Sequence, residues 1–284
     1  MAKIGIVTDS TSCIPEDLVT EYGIRVVPVG LVIDGKGYRD TDLTNEEFWR
    51  LFNEAKQPVT TNAVIPDDFA GIFRDLAPSC DSIVCIVVSK ALSATHEAAV
   101  QASRTVMAEK PGLKIEVIDS TTATGSLGFV VIEAARAAKA GKSLEEVVEA
   151  AKSMIPRVKF VVAMDTLKYL IRSGRAPKTA VLGDVFQVKP LIGMVNGTGL
   201  VENLGRARGK QKAMNRLAEM LKEYVEPGKP VNIMVHYTDG IAHAEELRDM
   251  VTAQVECKEV YMTPYTPVMA SQTGPVVAVA FYSD

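Results

Sequence analysis

Between Ser82 and Ala108 an apolar run, a short turn and an alanine-rich helical pattern follow one another directly. The unbroken run Ile83–Val88 has the length and character of a strand buried on both faces. The same alternation recurs through the first half of the chain. Strands are predicted at Lys3–Thr8, Arg25–Ile33, Ile83–Val88 and Ile115–Ile118, and helices at Pro15–Glu21, Asn45–Ala55, Pro66–Leu76, Ala94–Glu109 and Leu127–Ala140. Thr44 with Glu47 and Ser143 with Glu146 are spaced as capping boxes, and Gly141 stands where a glycine ends a helix. Strands alternating with helices specify a mostly parallel sheet covered on both faces. The fold class is α/β.

The second half has a different build. A strand at Lys159–Met164 precedes a helix at Thr166–Ser173, and a hairpin turns at Asn196–Gly199 between strands Lys189–Val195 and Leu200–Leu204. Helices at Lys210–Tyr224 and Ala242–Gln254 alternate with strands at Val231–His236 and Glu259–Met262, and Pro275–Tyr282 makes a final buried strand. At 284 residues and 47% hydrophobic content, the chain favours two domains over one. The expected boundary separates residues 1–158 from residues 159–284, both α/β.

Composition removes several function classes. The formal net charge of −4, with acids and bases interspersed, gives no electrostatic case for nucleic acid or an anionic membrane. No stretch approaches the roughly 18 consecutive apolar residues of a membrane span, and the start of the chain runs into a strand without a signal peptide. A cytoplasmic protein is expected. Cys13, Cys80, Cys85 and Cys257 form no C-x-x-C pair, and His96, His236 and His243 form no ligand cluster. Neither metal nor cofactor is predicted.

Parallel sheets bind ligands outside the carboxyl ends of their strands, where Asp9–Ser12, Ser89–Thr95 and Asp119–Thr122 converge. The first turn of the helix behind Ser93 offers unpaired N–H groups and a positive dipole end, a pocket for an anion. There is no glycine-rich loop with a Lys-Ser/Thr pair, so a small anion such as a carboxylate fits better than a nucleotide. Ser93 also reads as an ordinary helix cap.

The segment Ser89–Ala99 resembles the S-S-x-L-S-G-T-x-x-x-A segment of the DegV family, the bacterial fatty-acid-binding proteins. Other segments similar to that family follow its order: Asp9–Ser12, Thr61-Asn62, Ile118–Ser120, Tyr169–Arg175, Val188–Ile192 and Thr273–Pro275. The resemblance implies two α/β domains with a ligand tunnel between them. It also implies a long-chain fatty acid whose carboxylate is held by Thr61 and Ser93, with Asn62, Ala94 and Gln272 beside it. A separate fatty acid kinase would dock near Arg172 and Arg175 and phosphorylate the bound acid. The chain itself would be no enzyme, and a monomer is expected. Three positions depart from the family pattern. Asn62 replaces a serine and Ala94 a glycine. Gln272 replaces a histidine, and it can hydrogen-bond but cannot carry a proton.

Two other functions remain open on the residues alone. Ser93 could serve as the nucleophile of an acyl hydrolase or transferase, although Ala91 and Thr95 occupy the glycine positions of a nucleophile elbow. A regulator that senses a small anion is the other.

Overall fold

Uncharged and apolar from Ile4 to Val7, the strand Ile4–Asp9 is inserted between parallel neighbours. The structure is a computed structural model and describes residues 3–178, 187–238 and 240–284. Four parallel strands lie in the order Arg25–Val27, Ile4–Asp9, Ser82–Val87, Lys114–Asp119. Every residue of Ser82–Val87 is buried. Both predicted capping boxes are formed, each with the side-chain oxygen accepting from the N3 amide and the glutamate accepting from the cap's own N–H.

The predicted strand Arg25–Ile33 is in fact two strands in two sheets. Arg25–Val27 belongs to the parallel sheet, whereas Gly30–Ile33 pairs antiparallel with Lys36–Arg39 and with Thr60–Asn62. Pro28 has no N–H to continue the ladder. The Val29 amide turns inward instead and donates to Ser10 Oγ at 3.0 Å and Asp40 Oδ1 at 3.1 Å.

All the remaining strands join one six-stranded sheet, in the order Glu202–Arg208, Val188–Met194, Lys159–Met164, Val276–Ser283, Val231–Tyr237, Cys257–Pro264. Only its last pair is parallel. Side chains alternate across it with a period of two. Phe160, Val162 and Met164, with Ala278 and Ala280, face the large core shared with the parallel sheet; Val161, Val277, Val279 and Phe281 face a second core under the helices Lys210–Tyr224 and Ala242–Thr252. The last strand of the parallel sheet ends at Asp119 and the first of the six-stranded sheet begins at Lys159, while the main core is shared by both sheets.

The helix Thr124–Lys139 joins the two sheets. It starts three residues before the sequence-based expectation, because Thr124-Gly125-Ser126 reads as a turn but is helical and buried. Gly125 and Gly128 set its approach. A β-carbon on Gly125 would lie 2.9 Å from both Met234 Sδ and Ala280 Cβ, and one on Gly128 would lie 2.8 Å from the Ser12 carbonyl oxygen. The Gly125 amide donates to His236 Nε2 at 3.0 Å. Burial pushes the His236 imidazole down to about 3, so it stays neutral and keeps that acceptor.

Candidate functional site

A cavity of about 350 Å³ lies between the two sheets, within the usual range of about 300–1,000 Å³ for small-molecule pockets. Its walls come from several elements. Phe160, Val162, Ile192 and Met194 line it from the inner face of the six-stranded sheet, and Val268 and Met269 from the buried helix Pro267–Thr273. Thr61 and Asn62 reach it from the end of a short antiparallel strand, and Ser93 and Ala94 from the entry to the helix Thr95–Glu109. Gln272 comes from the helix Pro267–Thr273. The five ligand-site residues expected from sequence thus share one cavity.

Ser93 also has a local role. Its Oγ lies 2.8 Å from Thr95 Oγ1 and accepts from the Thr95 amide at 3.3 Å, as a Ser/Thr turn at a helix start does. No imidazole hydrogen-bonds to it among the described residues. The aspartates of the sheet edge are structural ties. Asp9 is fully buried and accepts from the Thr11 and Val88 amides. Asp119 accepts from the Lys90 and Thr121 amides.

Arg175 is placed differently from its expected surface position. It lines the cavity. Its Nε donates to the Leu92 carbonyl oxygen at 2.9 Å, and its Nη1 to Gln272 Oε1 at 3.2 Å and the Ser173 carbonyl oxygen at 3.3 Å. Burial lowers the guanidinium pKa, and no opposing charge among the described residues pulls it back. A half-buried cation with no carboxylate partner among the described residues therefore sits beside the Ser93 segment. The sequence places an Arg near a helix end and a Gln far downstream. What brings them together is the fold-back of Gly174, where the amides of Arg175 and Ala176 both return to the Leu170 carbonyl oxygen. Arg172 remains exposed, with its guanidinium 5.5 Å from the Tyr169 ring centre and Nη2 donating to the Val59 carbonyl oxygen at 3.2 Å.

The helix Pro267–Thr273 escaped sequence reading. Its signal was present: proline at N1 behind Thr266. Groups of three or more His, Cys, Asp or Glu able to hold a metal are absent among the described residues. No helix among the described residues is long and apolar enough to cross a membrane.

A family model described as "Uncharacterised protein, DegV family" matches residues 3–284. A DegV domain-containing protein of Caldanaerobacter subterraneus is 35% identical over 286 residues, covering 100% of both chains. Another, from Streptomyces coelicolor, is 32% identical and covers 96% of this chain and 95% of its own length. Among solved structures, a DegV family protein from Thermus thermophilus, described by its fatty acid binding, superposes with a TM-score of 0.90 at 30% identity, over 99% of this chain and 100% of that one. DegV of Bacillus subtilis, described as a fatty acid binding protein, shares the fold with a TM-score of 0.88 at 23% identity, covering 100% of both. From end to end, in sequence and in architecture, this chain is a member of the DegV family.

Proposed function

We propose that the chain binds one long-chain fatty acid in the cavity between its sheets and presents the carboxylate to a separate fatty acid kinase that forms the acyl phosphate. The observation that carries the reading is Arg175: a half-buried cation, with no counter-ion among the described residues, in the wall of a largely apolar cavity. Ser93 and Thr61 supply hydroxyls to the head group and Asn62 an amide, while the start of the Thr95–Glu109 helix at Ala94 faces it with a positive dipole end. Gln272 holds the Arg175 guanidinium through its Oε1. The tail supplies most of the affinity, since burying about fourteen methylenes at ~0.8 kcal/mol each is on the order of 10 kcal/mol gross.

Hydrolysis at Ser93 has less support. Its hydroxyl is engaged by Thr95, with no base bonded to it among the described residues, and an activated serine needs one. The acid is bound and presented, not cleaved, by a chain acting as a monomer.

The direct test is to denature protein purified from a bacterial host, extract it and weigh the lipid by mass spectrometry. About one long-chain fatty acid per chain is expected, because a dry apolar cavity is costly to leave empty. No acyl lipid, with no thermal shift on adding oleate or palmitate, refutes the reading. Ser93→Ala and Thr61→Ala are each expected to weaken binding by ~1–3 kcal/mol in a titration, through loss of a hydrogen bond to a charged acceptor. If both bind as the parent does, the carboxylate lies elsewhere.

The two arginines separate ligand from partner. Arg175→Gln is expected to weaken fatty-acid binding about tenfold or more, the effect of one charge-assisted hydrogen bond. Arg172→Ala is expected to spare ligand affinity and to slow acyl-phosphate formation with a cognate kinase, most at low salt, where exposed charges steer association. Unchanged affinity in Arg175→Gln removes the guanidinium from the head-group site. Unchanged phosphorylation in Arg172→Ala removes that surface from the partner interface.

A further inference from the structure

Two residues that line the cavity carry buried hydroxyls left unpaired among the described residues. Thr124 and Tyr265 both line it, each is 1% exposed, and neither Thr124 Oγ1 nor Tyr265 Oη has a hydrogen-bond partner among the described residues. The two are close enough for the threonine to pull the phenol pKa down against the rise that burial imposes, yet they are not in hydrogen-bonding geometry. Buried tyrosine hydroxyls ordinarily find a partner, and one left unmade is costly. Two of the nearby polar atoms are committed elsewhere. Thr11 Oγ1 donates to Asp9, and the imidazole packed on the Tyr265 ring, His236, uses its Nε2 for the Gly125 amide. Thr124 also holds a φ of +57°, a region that a β-branched residue rarely enters. The hydroxyl is thus held in place at some cost to the backbone.

We infer that Thr124 and Tyr265 form a second polar subsite in the cavity, which takes an oxygen carried on the acyl chain, so that the preferred ligand is a hydroxy fatty acid. The inference rests on the fatty-acid reading above. A methylene at this point leaves both protein hydroxyls unpaired, and a keto oxygen can only accept. A ligand hydroxyl accepts from Tyr265 Oη and donates to Thr124 Oγ1, which satisfies both.

The test is a displacement titration against a fluorescent fatty acid, using stearate and its hydroxylated derivatives with the hydroxyl near the head, at mid-chain and further along. At least one isomer is expected to bind about tenfold tighter than stearate, the effect of a buried hydrogen bond gained. In the Thr124→Val/Tyr265→Phe double variant the ratio of the two affinities is expected to fall to about one. If the double variant does not fold, Tyr265→Phe alone carries the same comparison, because the ring and its packing on His236 are kept. Stearate binding with no isomer preferred overturns the subsite and leaves the fatty-acid reading standing. A preference that survives in the variant also overturns it. Failure of stearate and every isomer to bind overturns both.

Discussion

Gly125→Ala is expected to cost ~3–5 kcal/mol of folding free energy in chemical denaturation, as overpacking combines with a lost buried hydrogen bond. The new methyl group would collide with the His236 imidazole and lie 2.9 Å from both Met234 Sδ and Ala280 Cβ. The Met234 side chain can rotate aside, but the His236 imidazole and Ala280 Cβ cannot retreat, because both residues sit on inner strands of the six-stranded sheet. Moving the helix instead would break the 3.0 Å bond from the Gly125 amide to His236 Nε2 and strand a neutral buried imidazole. Gly71→Ala is the matched control. Gly71 lies inside the helix Pro66–Leu76 with nothing within 4 Å of an added β-carbon, so alanine there is expected to stabilise by up to ~1 kcal/mol. A Gly125→Ala protein within ~1 kcal/mol of the parent would mean that the helix is not wedged as described.

Asp40→Asn is expected to stabilise the protein at pH 8, on the order of 4 kcal/mol at most, and to do so progressively less as pH falls. Asp40 is fully buried, its Oδ1 accepts from the Val29 amide, and its Oδ2 has no partner among the described residues. Burial raises its pKa from 3.8 to about 7, with repulsion from Asp9 adding to the rise and hydrogen bonds from Ser10 and Val29 opposing it. The folded state therefore holds a proton that the unfolded chain has released. The stability this confers is complete below the unfolded value of 3.8 and is lost as pH rises towards about 7. Asparagine keeps the acceptor for Val29 and carries no charge. His236 runs the other way: its pKa falls from 6.5 to about 3 on folding, so the stability tied to its neutral form is lost as pH falls through that window. Its contribution cancels when variant and parent are compared at each pH by denaturant titration. A difference that stays flat between pH 4 and 8 would falsify the assignment of a neutral, buried Asp40.

Local rules made the parallel half legible. Apolar runs such as Ile83–Val88, and capping boxes at Thr44 and Ser143, depend on neighbours in sequence, and they reappear within a residue or so of where the pattern puts them. The misreadings share a cause. Arg25–Ile33 carries no polar residue after Arg25, and only the missing N–H of Pro28 and the inward hydrogen bonds of Val29 divide it between two sheets. The strand expected at Leu200–Leu204 runs instead over Glu202–Arg208, with a register irregularity between Asn203 and Gly205.

At the candidate site, the family-like segments named Thr61, Asn62, Ser93, Ala94 and Gln272 as neighbours, and all five line the cavity. Arg175 pointed the wrong way because an arginine near a helix end looks like a surface charge. Its inward turn depends on Leu92 and Gln272, which are distant in sequence. Thr124 and Tyr265 carry no sequence signal at all: one opens a helix and the other precedes one. Their shared wall is a property of the tertiary structure alone.

The strand Val276–Ser283 lies inside the six-stranded sheet, between Lys159–Met164 and Val231–Tyr237, and its two faces belong to the two cores. It follows in the chain every element that it joins. During synthesis the helix Thr124–Lys139 and both flanking strands leave the ribosome with a central place in the sheet unfilled. Such late, long-range pairing makes folding slow and leaves apolar surface uncovered in the nascent chain. Until this strand arrives, Lys159–Met164, whose Phe160 and Val162 line the cavity, keeps one edge unpaired, so the wall it carries is set in its final place only after this last segment has been made.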